Sequence, residues 1–320
     1  MSLITSRQEA KKIYEDVQGK NMSVAVFCTA SHWNTEAILI AADRFAKKHN
    51  IKNIPISLAM TFNYSHMAQS QRVTKTKDAI VGFKSNMEHL KVLCEAEDSP
   101  YYNVCVMPHL DHGDPETDKW ALTKGTKYLA SVMFDAQRFP FEDNIRMTSD
   151  YVKEYGKSVL VEGIMDVLKV SDGTESVSGD DYAEKALKYK NETKVDFIVA
   201  DLGTEQQSNA SGKSEYLKQR AVNLTKALKE KMLVLHGTSC LTNEQINGLA
   251  DDGVIRINLW TKVAREAGQY AAKNLVERYD KIKDGDFEAT ESKQYIYDSI
   301  DKAADMMEEF LELFGYENLV

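Results

Sequence analysis

Short runs of apolar and β-branched residues recur along this chain, each followed by a segment whose apolar positions have helical spacing. The runs cover residues 23–28, 53–60, 102–107, 130–134, 158–161, 196–200, 232–235 and 254–258. Amphipathic segments fall between them, at 34–48, 76–95, 141–155, 181–192, 213–229 and 243–250. Strands alternating with helices of that length read as parallel βαβ units, because a parallel neighbour is reached only by a crossover. The runs are nearly continuous in apolar residues, which implies a sheet covered on both faces. About eight such units favour a closed (β/α)8 TIM barrel over an open doubly wound sheet. An early helix is predicted at 6–16, and two long helices at 262–281 and 295–314 follow the last strand. No Pro/Gly/Ser linker divides the chain. One domain is therefore expected over residues 1–320, with a barrel core at about 23–280 and a C-terminal helical extension at about 281–320. The final helices are expected to pack outside the barrel or against a partner subunit.

Of the 320 residues, 43% are hydrophobic and 28% charged, enough apolar material for a large core. The net charge is −9 with no basic stripe, which argues against a nucleic-acid partner. No apolar run approaches the roughly 20 residues that span a bilayer, so no membrane partner is expected. Residues 1–20 are polar and lack the apolar core of a signal peptide. The four cysteines, Cys28, Cys94, Cys105 and Cys240, are scattered without a C-x-x-C pair. Both features predict a cytoplasmic protein with reduced thiols.

The polar residues that need explaining cluster just after the predicted strands. His109-Leu110-Asp111-His112-Gly113 follows the third, Asp135 ends the fourth and Glu162 the fifth. Gly203-Thr204-Glu205-Gln206-Gln207 follows the sixth, His236-Gly237-Thr238-Ser239-Cys240 the seventh, and Asn258-Leu259-Trp260-Thr261 ends the eighth. In a barrel all these ends meet on one rim, where catalytic groups collect. Imidazoles at His112 and His236 suit zinc, and the adjoining Asp111 carboxylate suits proton transfer beside a metal. Two imidazoles alone are a weak metal signal, and rim histidines bonded to carboxylates are the plainer alternative. The turns at Gly237–Ser239 and Asn258–Thr261 resemble a phosphate cradle, in which backbone N–H groups point at an anion and Lys213 adds charge; plain turn chemistry is the simpler alternative for each turn alone. Two small, polar stretches at 171–181 and 208–213 read as loops over that face. His32, His49, His66 and His89 read as packing or surface residues. His109 shares a strand side with Asp111 and reads as an orienting partner at most.

These residues carry a resemblance. PHLDHG (108–113), SVMFDAQRFPFEDNIRMT (131–148), VDFIVADLGT (195–204) and LVLHGTSCLTNEQINGLADDGVIRINLWT (233–261) are similar, in order and spacing, to the class II (metal-dependent) ketose-bisphosphate aldolases. That family, of fructose- and tagatose-bisphosphate aldolases, has a (β/α)8 barrel and is usually a homodimer or larger. The resemblance implies Asp111 as catalytic acid/base, His112 and His236 as zinc ligands, and Asp135 close to the metal. It implies a phosphate of a phosphorylated sugar held at Lys213, Gly237, Ser239, Asn258 and Thr261, with Thr61 nearby. Zn2+ is the implied cofactor, with a monovalent cation as a second candidate.

The chain departs from the family pattern at the site. The family's G-T-x-H-G places its remaining zinc histidine where Gln206 stands, and its following glycine is Gln207. The family's second glutamate of V-E-x-E is Ile164, leaving Glu162. Trp260 stands where the family has a small or acidic residue, and would fill substrate space. The leading expectation is metal-assisted aldol cleavage of a phosphorylated ketose, with Gln206 as a weak third ligand or the holder of a water ligand. Alternatives are a sugar-phosphate epimerase using Asp111 and Glu162 as paired proton carriers, and a non-catalytic sugar-phosphate-binding homologue.

Overall fold

The structure is a computed structural model that describes residues 3–170, 179–208, 214–286 and 292–319, the side chains of 292–295 excepted. Eight strands close a parallel barrel in chain order. They are β1 (Val24–Cys28), β2 (Ile54–Thr61), β3 (Val104–Gly113), β4 (Ser131–Phe134), β5 (Leu160–Ile164), β6 (Phe197–Val199), β7 (Leu233–Leu235) and β8 (Val254–Leu259). Every residue of these strands is buried. Apolar side chains face both the barrel interior and the surrounding helices, which is why the runs lack a two-residue alternation.

The outer layer contains α1 (Arg7–Gln18), α2 (His32–His49), α3 (Ala79–Cys94), α4 (Lys119–Leu122), α5 (Phe141–Tyr155), α6 (Tyr182–Thr193), α7 (Lys218–Leu228), α8 (Asn243–Ile246), α9 (Thr261–Glu277), α10 (Tyr279–Lys283) and α11 (Ser292–Leu313). Side-chain caps set several starts. Ser31 accepts from the Asn34 amide before α2, and Asp78 from the Val81 amide before α3. The sequence places α3 from 76, but the Asp78 cap fixes its first turn at Ala79. The segment expected as helix at 243–250 stops after Ile246, where Asn247 turns extended.

Helix α1 packs at the barrel's N-terminal end, beside the starts of β5 and β6. Arg7 of α1 grips the Asp196 carboxylate with two nitrogens, at 2.6 and 2.5 Å, and Asp196 also accepts from the Val161 amide. Helix α11 packs against α2 and α9. Beyond it, the buried Tyr316 hydroxyl donates to the Pro55 carbonyl and accepts from the Ala25 amide, pinning this segment to β1 and β2.

One difference from the sequence reading bears on the site. Strand β3 continues through Gly113 rather than ending at 107, so the HLDHG motif lies within the strand. Its polar side chains interrupt the apolar run, yet its backbone still pairs with β2 as far as Thr61 opposite Asp111. Among the described residues no helix is long and apolar enough to cross a membrane. Most of the loop predicted at 171–181 and of that at 208–213, Lys213 included, lies outside the described residues.

Candidate active site and metal centre

Asp111 and His112 are neighbours in one strand, and plain alternation would send them to opposite faces. A register shift between Leu110 and Gly113 removes that conflict. His112 takes a left-handed conformation (φ 49°), so both side chains reach the C-terminal mouth of the barrel. There His236, which follows β7, brings its ring centroid to 5.1 Å from that of His112, with the planes at 80°. One ligand atom each from Asp111, His112 and His236 lies within 4.8 Å of the other two, and all three residues are buried.

Each histidine is backed by a carboxylate. Nδ1 of His112 meets Oδ2 of Asp135 at 2.7 Å, and Asp135 is itself held by the Gln137 backbone and side-chain amides. Burial opposes the His112 charge, but the Asp111 and Asp135 carboxylates outweigh it and raise its pKa to about 9. Nε2 of His236 faces Oε1 of Glu162 at 3.5 Å, and Glu162 is ion-paired to Arg256 at 2.9 Å. Burial works against the Glu162 charge as well, and Arg256 with His236 overcomes it, bringing the pKa down to about 2. His109, by contrast, is buried beside Arg256 and driven down to about 3; its Nδ1 meets the Ser131 hydroxyl at 2.9 Å. It is a neutral packing residue beneath the site, consistent with the subordinate role read from the sequence.

These fixed rings suit a divalent cation. The Asp135 contact at His112 Nδ1 leaves Nε2 for coordination, and the Glu162 contact at His236 Nε2 leaves Nδ1. Gln206 lines the same pocket. Its Oε1 accepts from the Tyr64 hydroxyl at 3.3 Å, and its buried Nε2 has no hydrogen-bond partner. Turning the amide by 180° keeps a bond to Tyr64 and puts an oxygen at the unpartnered position. The donor set is thus two imidazoles and an amide, with the Asp111 carboxylate beside them, which fits zinc less tightly than three imidazoles.

The pocket is also lined by Thr61, Gln207, Gly237, Thr238, Ser239, Asn258, Trp260 and Thr261. Gly237 has φ 75°, and a Cβ there would fall 2.9 Å from the Glu205 backbone, so only glycine fits this turn. The Thr238 hydroxyl donates to the Asn258 carbonyl and the Thr204 hydroxyl to the His236 carbonyl, tying the turn to β8 and to the segment after β6. Thr261 opens the 17-residue α9, whose N-terminal N–H groups face this side of the barrel.

Several expected substrate contacts take other positions. Asp135 does not line the pocket, because it stands behind His112. Glu162, read as a proton carrier, is wholly buried behind His236 and is likewise absent from the lining. The Thr61 hydroxyl borders the pocket but donates to the Met67 carbonyl and accepts from the Gln69 amide. Asn258 turns its amide to Asp111 at 3.4 Å. Trp260 lines the pocket, packed on Val26, Cys28 and Ala59.

Two residues escaped the sequence reading. Tyr64 stacks on His112 with centroids 4.2 Å apart and planes at 6°. It lies in the loop after β2, and nothing in its local sequence marks it. Arg256 did carry a signal: a charged residue inside the apolar run VIRINL requires a buried partner.

Comparison with known proteins identifies the family. The family described as "Fructose-bisphosphate aldolase class-II" matches residues 8–319. A fructose-bisphosphate aldolase of Giardia intestinalis is 30% identical over 205 residues, covering 57% of this chain and 61% of that protein. The chain therefore aligns with less than two thirds of the Giardia protein's length. One from Streptococcus pneumoniae is 23% identical over 300 residues, covering 87% of this chain and 98% of that one. The crystal structure of fructose-bisphosphate aldolase (Fba) from Campylobacter jejuni superposes with a TM-score of 0.76 at 17% identity, covering 98% and 95% of the two chains, and shares the fold. By its full-length family match, this chain belongs to the class II fructose-bisphosphate aldolase family.

Proposed function

We propose that the protein is an aldolase-type lyase that cleaves a phosphorylated ketose with the help of a divalent metal, Zn2+ being the first candidate. The observation that carries this reading is the meeting of Asp111, His112 and His236 within 4.8 Å beside the Gly237 turn and the start of α9. When bound, the metal would act as a Lewis acid on the ketose carbonyl and offset enediolate charge. His112 and His236 would hold it, with Gln206 as a weak third ligand or the holder of a water.

The chain's own groups do the rest. Asp111 takes the proton from the C4 hydroxyl as the C3–C4 bond breaks, and returns a proton in the aldol direction. The Asn258 amide at 3.4 Å holds the Asp111 carboxylate in place. Backbone N–H groups at Gly237–Ser239, the Ser239 hydroxyl and the N-terminus of α9 at Thr261 bind the phosphate, and Lys213 adds a charge. Fixing the phosphate fixes the reacting carbons against the Asp111 carboxylate. Trp260 narrows the pocket, so the accepted sugar is one that packs against an indole. The proposed substrate is a phosphorylated sugar; a homo-oligomer working in the cytoplasm is part of the same proposal and is supported by the family resemblance rather than by the site.

The test is product analysis with a panel of phosphorylated ketoses, fructose 1,6-bisphosphate first, on zinc-loaded and chelated protein. Two carbon fragments, formed only by the loaded protein, are expected. A single rearranged sugar would show an epimerase instead. Ligand binding indifferent to chelator, with no turnover, would show a non-catalytic binder.

A further inference from the structure

Arg256 has no place in the proposed mechanism, yet it is the largest wholly buried side chain among the described residues. It points from β8 into the barrel interior, where its guanidinium lies over the rings of Phe197 and Tyr14, at 5.0 and 5.8 Å. One nitrogen donates to the Ser57 hydroxyl at 3.3 Å, and another pairs with Glu162 at 2.9 Å. Glu162 is equally inaccessible, and its other oxygen faces His236 Nε2 at 3.5 Å. That nitrogen has no hydrogen-bond partner among the described residues, so the Glu162 oxygen is the polar group placed to meet it. The groups form a line, from a cation clamped between two aromatic faces, through a carboxylate, to the imidazole at the rim. Glu162 does not line the pocket, so it is out of substrate's reach.

We propose that Arg256 is a positioning residue which, through Glu162, fixes the ring orientation and tautomer of the metal ligand His236. A lone carboxylate is strongly disfavoured in such an interior, and the guanidinium 2.9 Å away compensates Glu162 and fixes its position. Glu162 Oε1, 3.5 Å from Nε2 of His236, is placed to accept from an Nε2–H, and that tautomer leaves the Nδ1 lone pair for the metal. His112 receives the same service from Asp135 alone, because that carboxylate sits nearer the rim and is held by Gln137. The arrangement matters more here than with a third imidazole, since Gln206 is a poor substitute and His236 carries more of the affinity. The inference rests on the metal reading above.

The test is zinc affinity by competition with a chromophoric chelator, together with 15N shifts of the histidine rings. The variants are Glu162→Gln, Arg256→Lys, Arg256→Met and the double substitution Glu162→Gln/Arg256→Met. The double variant leaves no unpaired charge in the barrel, so it keeps the test open where a single variant fails to fold. Zinc affinity is expected to fall 10- to 100-fold in Glu162→Gln and in the double variant, with the His236 resonances leaving the Nε2–H pattern. Arg256→Lys should recover most of the loss relative to Arg256→Met. Where activity is measured, kcat should fall more than KM rises. Folded variants with lower melting temperature but wild-type zinc affinity and unchanged His236 shifts would overturn the positioning role and leave the metal reading standing. A wild-type protein that takes up no zinc would overturn the metal reading, and this inference with it.

Discussion

His112 Nδ1 and Asp135 Oδ2 lie 2.7 Å apart, and this contact decides which face of the imidazole is offered to the mouth of the barrel. Asp135→Asn keeps the shape and turns the acceptor into an amide that can flip. Zinc affinity is expected to drop by about 10- to 100-fold, the usual effect of losing a partner behind a metal ligand. Chelator competition on the purified variant measures it. An unchanged affinity would mean that packing against Tyr64, not the carboxylate, holds the ring.

Asp111 touches the pocket while Glu162 does not. Asp111→Ala should therefore lower kcat by about 10²-fold or more, the range for a lost proton carrier. Bound metal, measured by elemental analysis, should stay at the wild-type level. Loss of metal along with activity would make Asp111 a ligand in place of a base.

Gln206 supplies an amide where the family pattern has an imidazole. Gln206→His should raise zinc affinity by about tenfold or more, because a third nitrogen ligand replaces a neutral oxygen. Titration with a zinc-selective dye reads this directly. A variant binding zinc no better than wild type would place residue 206 outside the coordination sphere.

Gly237 holds φ 75°, with the Glu205 backbone where a side chain would begin. Gly237→Ala should destabilise the fold by about 1–3 kcal/mol, from the positive φ and the contact together. It should also weaken phosphate binding, since the turn must move. Denaturant unfolding and inorganic phosphate titration check the two effects separately.

Lys231 is partly buried under carbonyls of Met22 and Lys20, and burial lowers its pKa to about 8, with Asp251 opposing weakly. A lysine with a folded pKa below its unfolded value penalises the fold while both states are charged. The penalty is full below pH 8 and is lifted as pH rises from about 8 to about 10.5. Stability of the wild type relative to Lys231→Met should therefore increase across that window. Urea unfolding of both proteins at pH 7, 9 and 10 tests the sign.

Much of this molecule was legible in the order of its residues. The apolar runs ending near Cys28, Phe134, Val199 and Leu235 each became a barrel strand, because a strand buried on both faces needs little beyond apolar side chains. The residues of the rim were legible too, since they track strand ends. What they touch was not. Alternation along β3 says that Asp111 and His112 point apart, and only the register shift against β4 brings them together. Tyr64 and Gln206, 142 positions apart, form a contact no local pattern encodes. Glu162 was visible at the end of an apolar strand and Arg256 carried an unread signal within one, but their pairing behind His236 depends on the closure of the barrel. Sequence thus determined which residues exist to be buried and which stand at strand ends. Tertiary structure decided which polar groups share a site, because directional contacts of about 3 Å depend on register and closure, while burial depends only on apolar area.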